Sequence, residues 1–145
     1  MIYLVDDKKE RQKNIGWSAE RLDGYKDVLQ PIYDNEHLQK LKSAIFAEHN
    51  VMLFHESFFD NPVNLNSTQA LEIRRSLSSY VEKHKFTLVT FSGSMGYRKI
   101  TGNTANIPFE TIYQNLQVFI QDYRENNTAN LKKLAFGENV LAEEI

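Results

Sequence analysis

The sequence predicts a single α/β domain in which a five-stranded parallel sheet lies between two layers of helices. Four apolar runs of strand length, at residues 2–5, 28–33, 51–54 and 86–91, alternate with segments of helical spacing. Three of these runs are almost continuously apolar, which is typical of strands that helices cover on both faces. The alternation of strands and helices favours parallel pairing in a three-layer, doubly wound arrangement.

Two of the predicted strands have features that set them apart. The second run contains Gln30 and Pro31, and because proline has no N–H to give to a neighbouring strand, we expect this strand at an edge of the sheet. Ala105 to Ile107 predicts a fifth strand, since the residue before Pro108 is kept out of the helical region.

Three helices are predicted from apolar stripes at helical spacing. The first is expected to be capped by Asn35 and the second by Ser67. The apolar stripe after Asn35 consists of Leu38, Leu41 and Ile45, with Ala44 as a further candidate. The third begins near Phe109 and has the strongest amphipathic pattern, whose apolar stripe is Ile112, Tyr113, Leu116, Phe119, Ile120 and Tyr123. Residues 8–23 are polar and predict a helix only weakly, whereas residues 125–145 form a tail with a smaller apolar set. We expect this tail to form a short helix that packs on the 1–124 domain or on a partner.

Composition excludes several classes of function. A chain of 145 residues is long enough for one hydrophobic core, and its 41% apolar and 25% charged residues are typical of folded domains. The net charge of -2 offers no broad positive field for nucleic acid or an anionic membrane. Without cysteine there are no disulfides and no thiolate metal sites. Since neither a signal-peptide pattern nor an apolar run of membrane-spanning length is present, we expect a cytoplasmic protein.

Polar side chains follow three of the predicted strands at the point where each strand ends. They are Asp6, Asp7, His55, Glu56, Ser57, Ser92, Gly93 and Ser94. In open α/β sheets the ligand site lies beyond the carboxyl ends of the strands, so we expect these residues to converge. Asp6 and Asp7, with Glu56 as a third carboxylate, predict a Mg²⁺ site, because Mg²⁺ prefers oxygen ligands. Equally, Asp6 and Asp7 can simply cap the helix that follows them.

Three short motifs resemble the response-regulator receiver domain, which has a flavodoxin-like fold. They are Ile2-Tyr3-Leu4-Val5-Asp6-Asp7, Phe91-Ser92-Gly93 and Ile107-Pro108-Phe109. They are similar to that family's acidic pair after the first strand, its hydroxyl after the fourth strand and its Lys-Pro-Phe after the fifth. The resemblance spans most of residues 1–124. It implies a signal-transduction domain of the two-component type with a Mg²⁺-dependent phosphorylation site.

The departures from the family change what the resemblance implies. The family's third strand ends on the aspartate that accepts the phosphoryl group, whereas this chain has His55 and then Glu56. The family's phosphoryl-contacting lysine aligns with Ile107, which is apolar. Residues 94–103 hold two glycines and little helical periodicity, so we expect the family's fourth helix to be shortened or absent.

Several interpretations of these departures stay open. The carboxylate of Glu56 can imitate a permanently charged acceptor residue only if the third strand shifts by one residue, so that Glu56 takes the acceptor position. Such a shift reverses the direction of every side chain in the strand. His55 can accept a phosphoryl group or ligate a metal with the two aspartates. In the simplest interpretation His55 is a hydrogen-bonded strand-end residue and Glu56 is solvated. Arg98 and Lys99 either replace the missing lysine by reaching across the site or form a solvated loop pair.

Two functions of different classes follow. The first is a non-enzymatic receiver-like module that regulates or recruits a protein partner, a second copy of the chain being one candidate. The second is a metal-dependent hydrolase or phosphotransferase that uses His55, Glu56 and the two aspartates, with Ser92 orienting the substrate.

Overall fold

A computed structural model describes residues 1–41, 50–60, 65–83 and 86–137. The strands are β1 (Ile2–Val5), β2 (Leu29–Ile32), β3 (Val51–His55), β4 (Thr87–Ser92), β5 (Lys99–Thr101) and β6 (Thr104–Pro108). The helices are α1 (Lys9–Asn14), α2 (Ala19–Asp23), α3 (Asn35–Lys40), α4 (Ser57–Asp60), α5 (Ser67–Glu82), α6 (Phe109–Asn126) and α7 (Leu131–Phe136).

The described strands form one sheet in the order β2-β1-β3-β4-β6-β5. Five of them are parallel, and only β5 runs antiparallel, beside β6. The predicted α/β class with a mostly parallel sheet is confirmed, and β2 with its Pro31 lies at an edge as expected. The predicted strand count is wrong, because residues 93–103 contain an extra three-residue strand and no helix.

Alternate side chains of the central strands pack into two separate hydrophobic cores, one on each face of the sheet. Ile2 and Leu4 of β1 point to the face covered by α2, α6 and α7. Tyr3 and Val5 point to the face covered by α3, α4 and α5. Side chains of a strand alternate in direction, so a strand buried on both faces must be apolar at every position. This requirement explains the continuous apolar runs in the sequence.

The helix starts differ from the predicted caps by one residue. The side chain of Asp34, rather than Asn35, accepts the N–H of His37 at the start of α3. Asn66, rather than Ser67, caps α5, where it forms a reciprocal capping box with Gln69. The predicted helix in the polar segment 8–23 is split into α1 and α2. Of the apolar stripe predicted after Asn35, Ile45 lies outside the described residues.

The end of the described chain packs back on the domain. α6 ends where Asn127 takes a left-handed conformation with φ 55°. Leu131 and Leu134 of α7 join the core under α6, and the Leu134 carbonyl accepts a hydrogen bond from Asn115 at 2.9 Å. The remaining tail, residues 138–145, lies outside the described residues. None of the helices that the structure describes has the length and apolar character needed to cross a membrane.

Candidate functional site

Asp6 and Asp7 lie at a point where the chain leaves two neighbouring strands towards opposite faces of the sheet. After β1 the chain passes to the face of α2 and α6, and after β3 it passes to the face of α4 and α5. Open α/β sheets form their ligand crevice at such a point, outside the carboxyl ends of the strands. Asp6 and Asp7 follow β1 here, and His55 ends the adjacent β3.

Asp6 is fully buried, and both of its carboxylate oxygens accept hydrogen bonds. Oδ1 accepts the Lys8 backbone N–H at 2.9 Å and lies 2.8 Å from His55 Nδ1. Oδ2 accepts the hydroxyl of Tyr113 at 2.6 Å. A buried carboxylate is costly unless its oxygens have donors, and these three contacts supply them. Asp6 therefore holds β1, β3 and α6 together at this end of the sheet.

Tyr113 connects this carboxylate to a second layer of polar side chains. Its hydroxyl accepts a hydrogen bond from Gln12 Nε2 at 2.9 Å, and Gln12 Oε1 accepts the Tyr33 hydroxyl at 3.0 Å. Burial, reinforced by the negative charge of Asp6, raises the pKa of Tyr113 well above its ordinary value of 10. The Tyr113 hydroxyl therefore stays protonated at neutral pH and acts as a donor to Asp6.

His55 is buried between aromatic rings and hydrogen-bonded on one side. Its ring stacks on Phe91 at 4.8 Å and lies 5.2 Å from the ring of Phe109. Ser57 Oγ lies 3.0 Å from His55 Nδ1 and donates to Asp7 Oδ1 at 2.6 Å. Since the Ser57 hydroxyl donates to Asp7, its oxygen is left to accept, and the consistent arrangement has His55 Nδ1–H shared between Asp6 and Ser57.

Glu56 points away from this cluster. Residues 55 and 56 are neighbours at the end of β3, so their side chains leave on opposite faces of the sheet. Glu56 is partly exposed and pairs with Arg74 of α5 at 3.4 Å. The structure thus separates Glu56 from the aspartates with which the sequence grouped it.

The remaining predicted binding residues form a neighbouring region. Ser92 Oγ lies 2.9 Å from Ser94 Oγ and accepts the Ser94 backbone N–H at 3.2 Å, so it stabilises its own turn. Gly93 lies against Arg11 of α1. Arg98 contacts Thr111 Oγ1 at 3.4 Å, and Lys99 is exposed at the start of β5.

Asp6, Asp7 and His55 form what we call the acidic cluster, in which one donor atom from each residue lies within 4.8 Å of the others. Two carboxylates and an imidazole fit a first-row divalent ion such as Mn²⁺ or Zn²⁺ better than Mg²⁺, which prefers an all-oxygen shell. Nδ1 cannot donate to Asp6 and bind a metal at the same time. A metal bound through Nδ1 would therefore have to displace that proton.

Sequence reasoning missed the residues that complete the network. Tyr113 was assigned to the core stripe of α6, although a buried tyrosine hydroxyl generally needs a partner, and that requirement was the available signal. Gln12 gave no signal, because a polar residue in a short polar helix has no reason to be buried. Gln12 and Tyr113 are about a hundred positions apart in the sequence, and only the complete fold brings them into contact.

Comparison with known proteins identifies no relative: no protein-family model matches the chain, and neither curated proteins nor solved structures give a significant match. The chemistry of the acidic cluster therefore has to follow from its own residues.

Proposed function

We propose that this protein is a non-enzymatic, receiver-like interaction module in which the phosphorylation site has become a structural hydrogen-bond network. The strand order β2-β1-β3-β4-β6 is that of a flavodoxin-like sheet, which supports the resemblance noted in the sequence. The module would act in the cytoplasm by binding a protein partner.

The single observation that carries this proposal is that Asp6 is fully buried and both of its carboxylate oxygens have hydrogen-bond partners within the protein. Its two oxygens already accept hydrogen bonds from Lys8, His55 and Tyr113. A receiver needs its first-strand acids free to hold Mg²⁺ beside an acceptor aspartate. Here an imidazole takes the acceptor position and uses Nδ1 to hold the acid in place.

Two further features favour the same conclusion. Ile107, at the position of the family's lysine, is fully buried in the core and leaves no cation there to meet a phosphoryl group. The antiparallel strand β5 replaces the fourth helix of the resembled fold, so the surface offered to a partner differs from the family's usual signalling face.

Exposure to a phosphoryl donor tests the proposal directly. The protein is incubated with acetyl phosphate and Mg²⁺, and its intact mass is measured beside that of an ordinary receiver domain with a phosphorylatable aspartate. We expect the control to gain a phosphoryl group and this chain to gain none. A stable phosphoryl adduct that disappears in the Asp7→Asn variant would contradict the proposal.

The compact geometry of the acidic cluster favours a second candidate, a metal-dependent hydrolase or phosphotransferase. Its three donor groups lie within 4.8 Å of one another at a sheet position where active sites commonly form. Calorimetric titration with Mn²⁺, Zn²⁺ and Mg²⁺ tests this candidate. Binding that is lost in Asp7→Asn and retained in Asp23→Asn, an exposed acid of α2, would support it. Absence of binding would remove it.

A further inference from the structure

A second polar cleft lies beside the acidic cluster, at the start of α6. It has a volume of about 400 Å³ and is lined by Arg11 of α1, Gly93 after β4, Arg98 before β5 and the first turn of α6. We call it the arginine cleft. α1 and the segment before β5 each bring one guanidinium group to this concave surface.

Neither guanidinium group is neutralised within the part of the chain that the structure describes. Arg11 lies over the ring of Phe109 at 4.5 Å, and Arg98 contacts Thr111 Oγ1 and the ring of Phe136. No described acidic side chain lies within ion-pair distance of either arginine, although Glu110 also lines the cleft. Two like charges that converge without an acid partner favour an anionic ligand.

Gly93 allows Arg11 to lie close to the turn after β4. A Cβ atom at this position would come within 2.7 Å of Arg11 Nη2, so any other residue would make the end of the arginine side chain shift away from the turn. The ring of Phe109 contacts both Arg11 and His55. The arginine cleft is thus next to the acidic cluster but has its own lining residues.

We propose that the arginine cleft binds a phosphate monoester. Two guanidinium groups carry two positive charges, which a phosphate monoester, with close to two negative charges and three free oxygens, matches better than a carboxylate with one charge and two oxygens. The 18-residue helix α6 also favours an anion in the cleft, because no side chain caps its first turn and the positive end of its dipole faces the cleft. This inference goes beyond the proposed function and does not depend on it.

Titration with phenyl phosphate, followed by calorimetry or amide chemical shifts, tests the proposal. We expect a dissociation constant on the order of 1 mM or tighter. Arg11→Gln and Arg98→Gln should each weaken binding by about tenfold, the effect of losing one charge-assisted hydrogen bond. Arg11→Lys keeps the charge but not the fork, so its loss should be smaller.

Three further variants distinguish a built site from general charge attraction. Gly93→Ala should weaken binding because it displaces Arg11, and Glu110→Gln should strengthen it because it removes the nearby negative charge. The control is Arg75→Gln on α5, which lowers the net charge equally but lies on a helix that packs on the other face of the sheet. Its affinity should equal that of the unmodified protein.

A short phosphoserine peptide serves as a second probe, since a phosphate monoester can belong to a small metabolite or to a partner protein. Tighter binding of the peptide than of phenyl phosphate would assign the site to a partner, and the reverse would assign it to a metabolite. The proposal is overturned if neither probe binds in the millimolar range, or if Arg75→Gln weakens binding as much as Arg11→Gln and Arg98→Gln.

Discussion

Replacing Tyr113 by phenylalanine removes one oxygen atom from the centre of the polar network and leaves the packing of the ring unchanged. The lost hydroxyl donates to the buried Asp6 carboxylate and accepts from Gln12. A hydrogen bond to a charged group contributes about 1.5–3 kcal/mol, and a buried amide left without its partner costs about 1–3 kcal/mol. Since Gln12 keeps its contact with Tyr33 and can relax, we expect the free energy of unfolding to fall by about 2–4 kcal/mol.

This change is large enough to measure by urea unfolding at neutral pH. The chain has a single tryptophan, Trp17, which is buried and donates its Nε1–H to the Tyr113 backbone carbonyl at 2.9 Å. Because that carbonyl remains in the variant, Trp17 fluorescence reports unfolding in both proteins. A domain of this size loses about 2–4 °C of melting temperature for each kcal/mol, so the melting temperature should fall by about 5–15 °C.

The matched control is Tyr97→Phe, which removes the same atom from a side chain that is 61% exposed. Its stability should change by less than about 0.5 kcal/mol. A Tyr113→Phe variant that is as stable as Tyr97→Phe would refute the view that Asp6 depends on its protein donors. In that case water or a bound ion must interact with the Asp6 carboxylate in place of Tyr113. That result would favour the metal-dependent hydrolase or phosphotransferase.

Three other perturbations have definite expected outcomes. Because burial raises the pKa of Tyr113, its contribution to stability is complete below about pH 10, the ordinary pKa of tyrosine, and is lost as the pH rises towards the folded-state pKa. In urea titrations the difference in unfolding free energy between the unmodified protein and Tyr113→Phe should therefore stay constant up to about pH 9 and narrow only above about pH 10. Gly137→Ala should lower the melting temperature, since Gly137 has φ 77° and ψ -153°, a conformation that is almost restricted to glycine, and a Cβ there would lie 3.0 Å from Asn115 Oδ1. Such backbone strain costs about 1–3 kcal/mol, and an unchanged melting temperature would contradict this reasoning. Glu56→Ala should lower the free energy of unfolding by less than about 1 kcal/mol, because it breaks only the exposed pair with Arg74. A larger loss would mean that Glu56 belongs to the acidic cluster.

The parallel sheet was predictable because burial on both faces leaves a clear mark in the sequence. Residues such as Leu4 and Leu53 must be apolar whichever way they point, so runs of four or five apolar residues identify the strands. The convergence of Asp6 and His55 followed from the same reasoning, since parallel strands end at one edge. β5 was missed because three residues, two of them exposed, are too few to show a period.

The polar contacts were harder to predict than the apolar ones. The hydrogen bond between Gln12 and Tyr113 joins residues whose positions are related only through the complete fold. The caps of α3 and α5 were each misplaced by one residue, because Asp34-Asn35 and Asn66-Ser67 each offer two adjacent side chains that are able to cap. Only the backbone conformation decides which of the two accepts the N–H.

Both margins of the sheet discourage the addition of a further strand. At one margin, Pro31 removes an N–H from β2. At the other margin β5 is three residues long and begins with the exposed Lys99, and short, charged edges resist edge-to-edge association. Polymerisation through strand pairing is therefore disfavoured. A partner protein would have to bind side chains of this domain instead of unpaired backbone groups at the sheet edges.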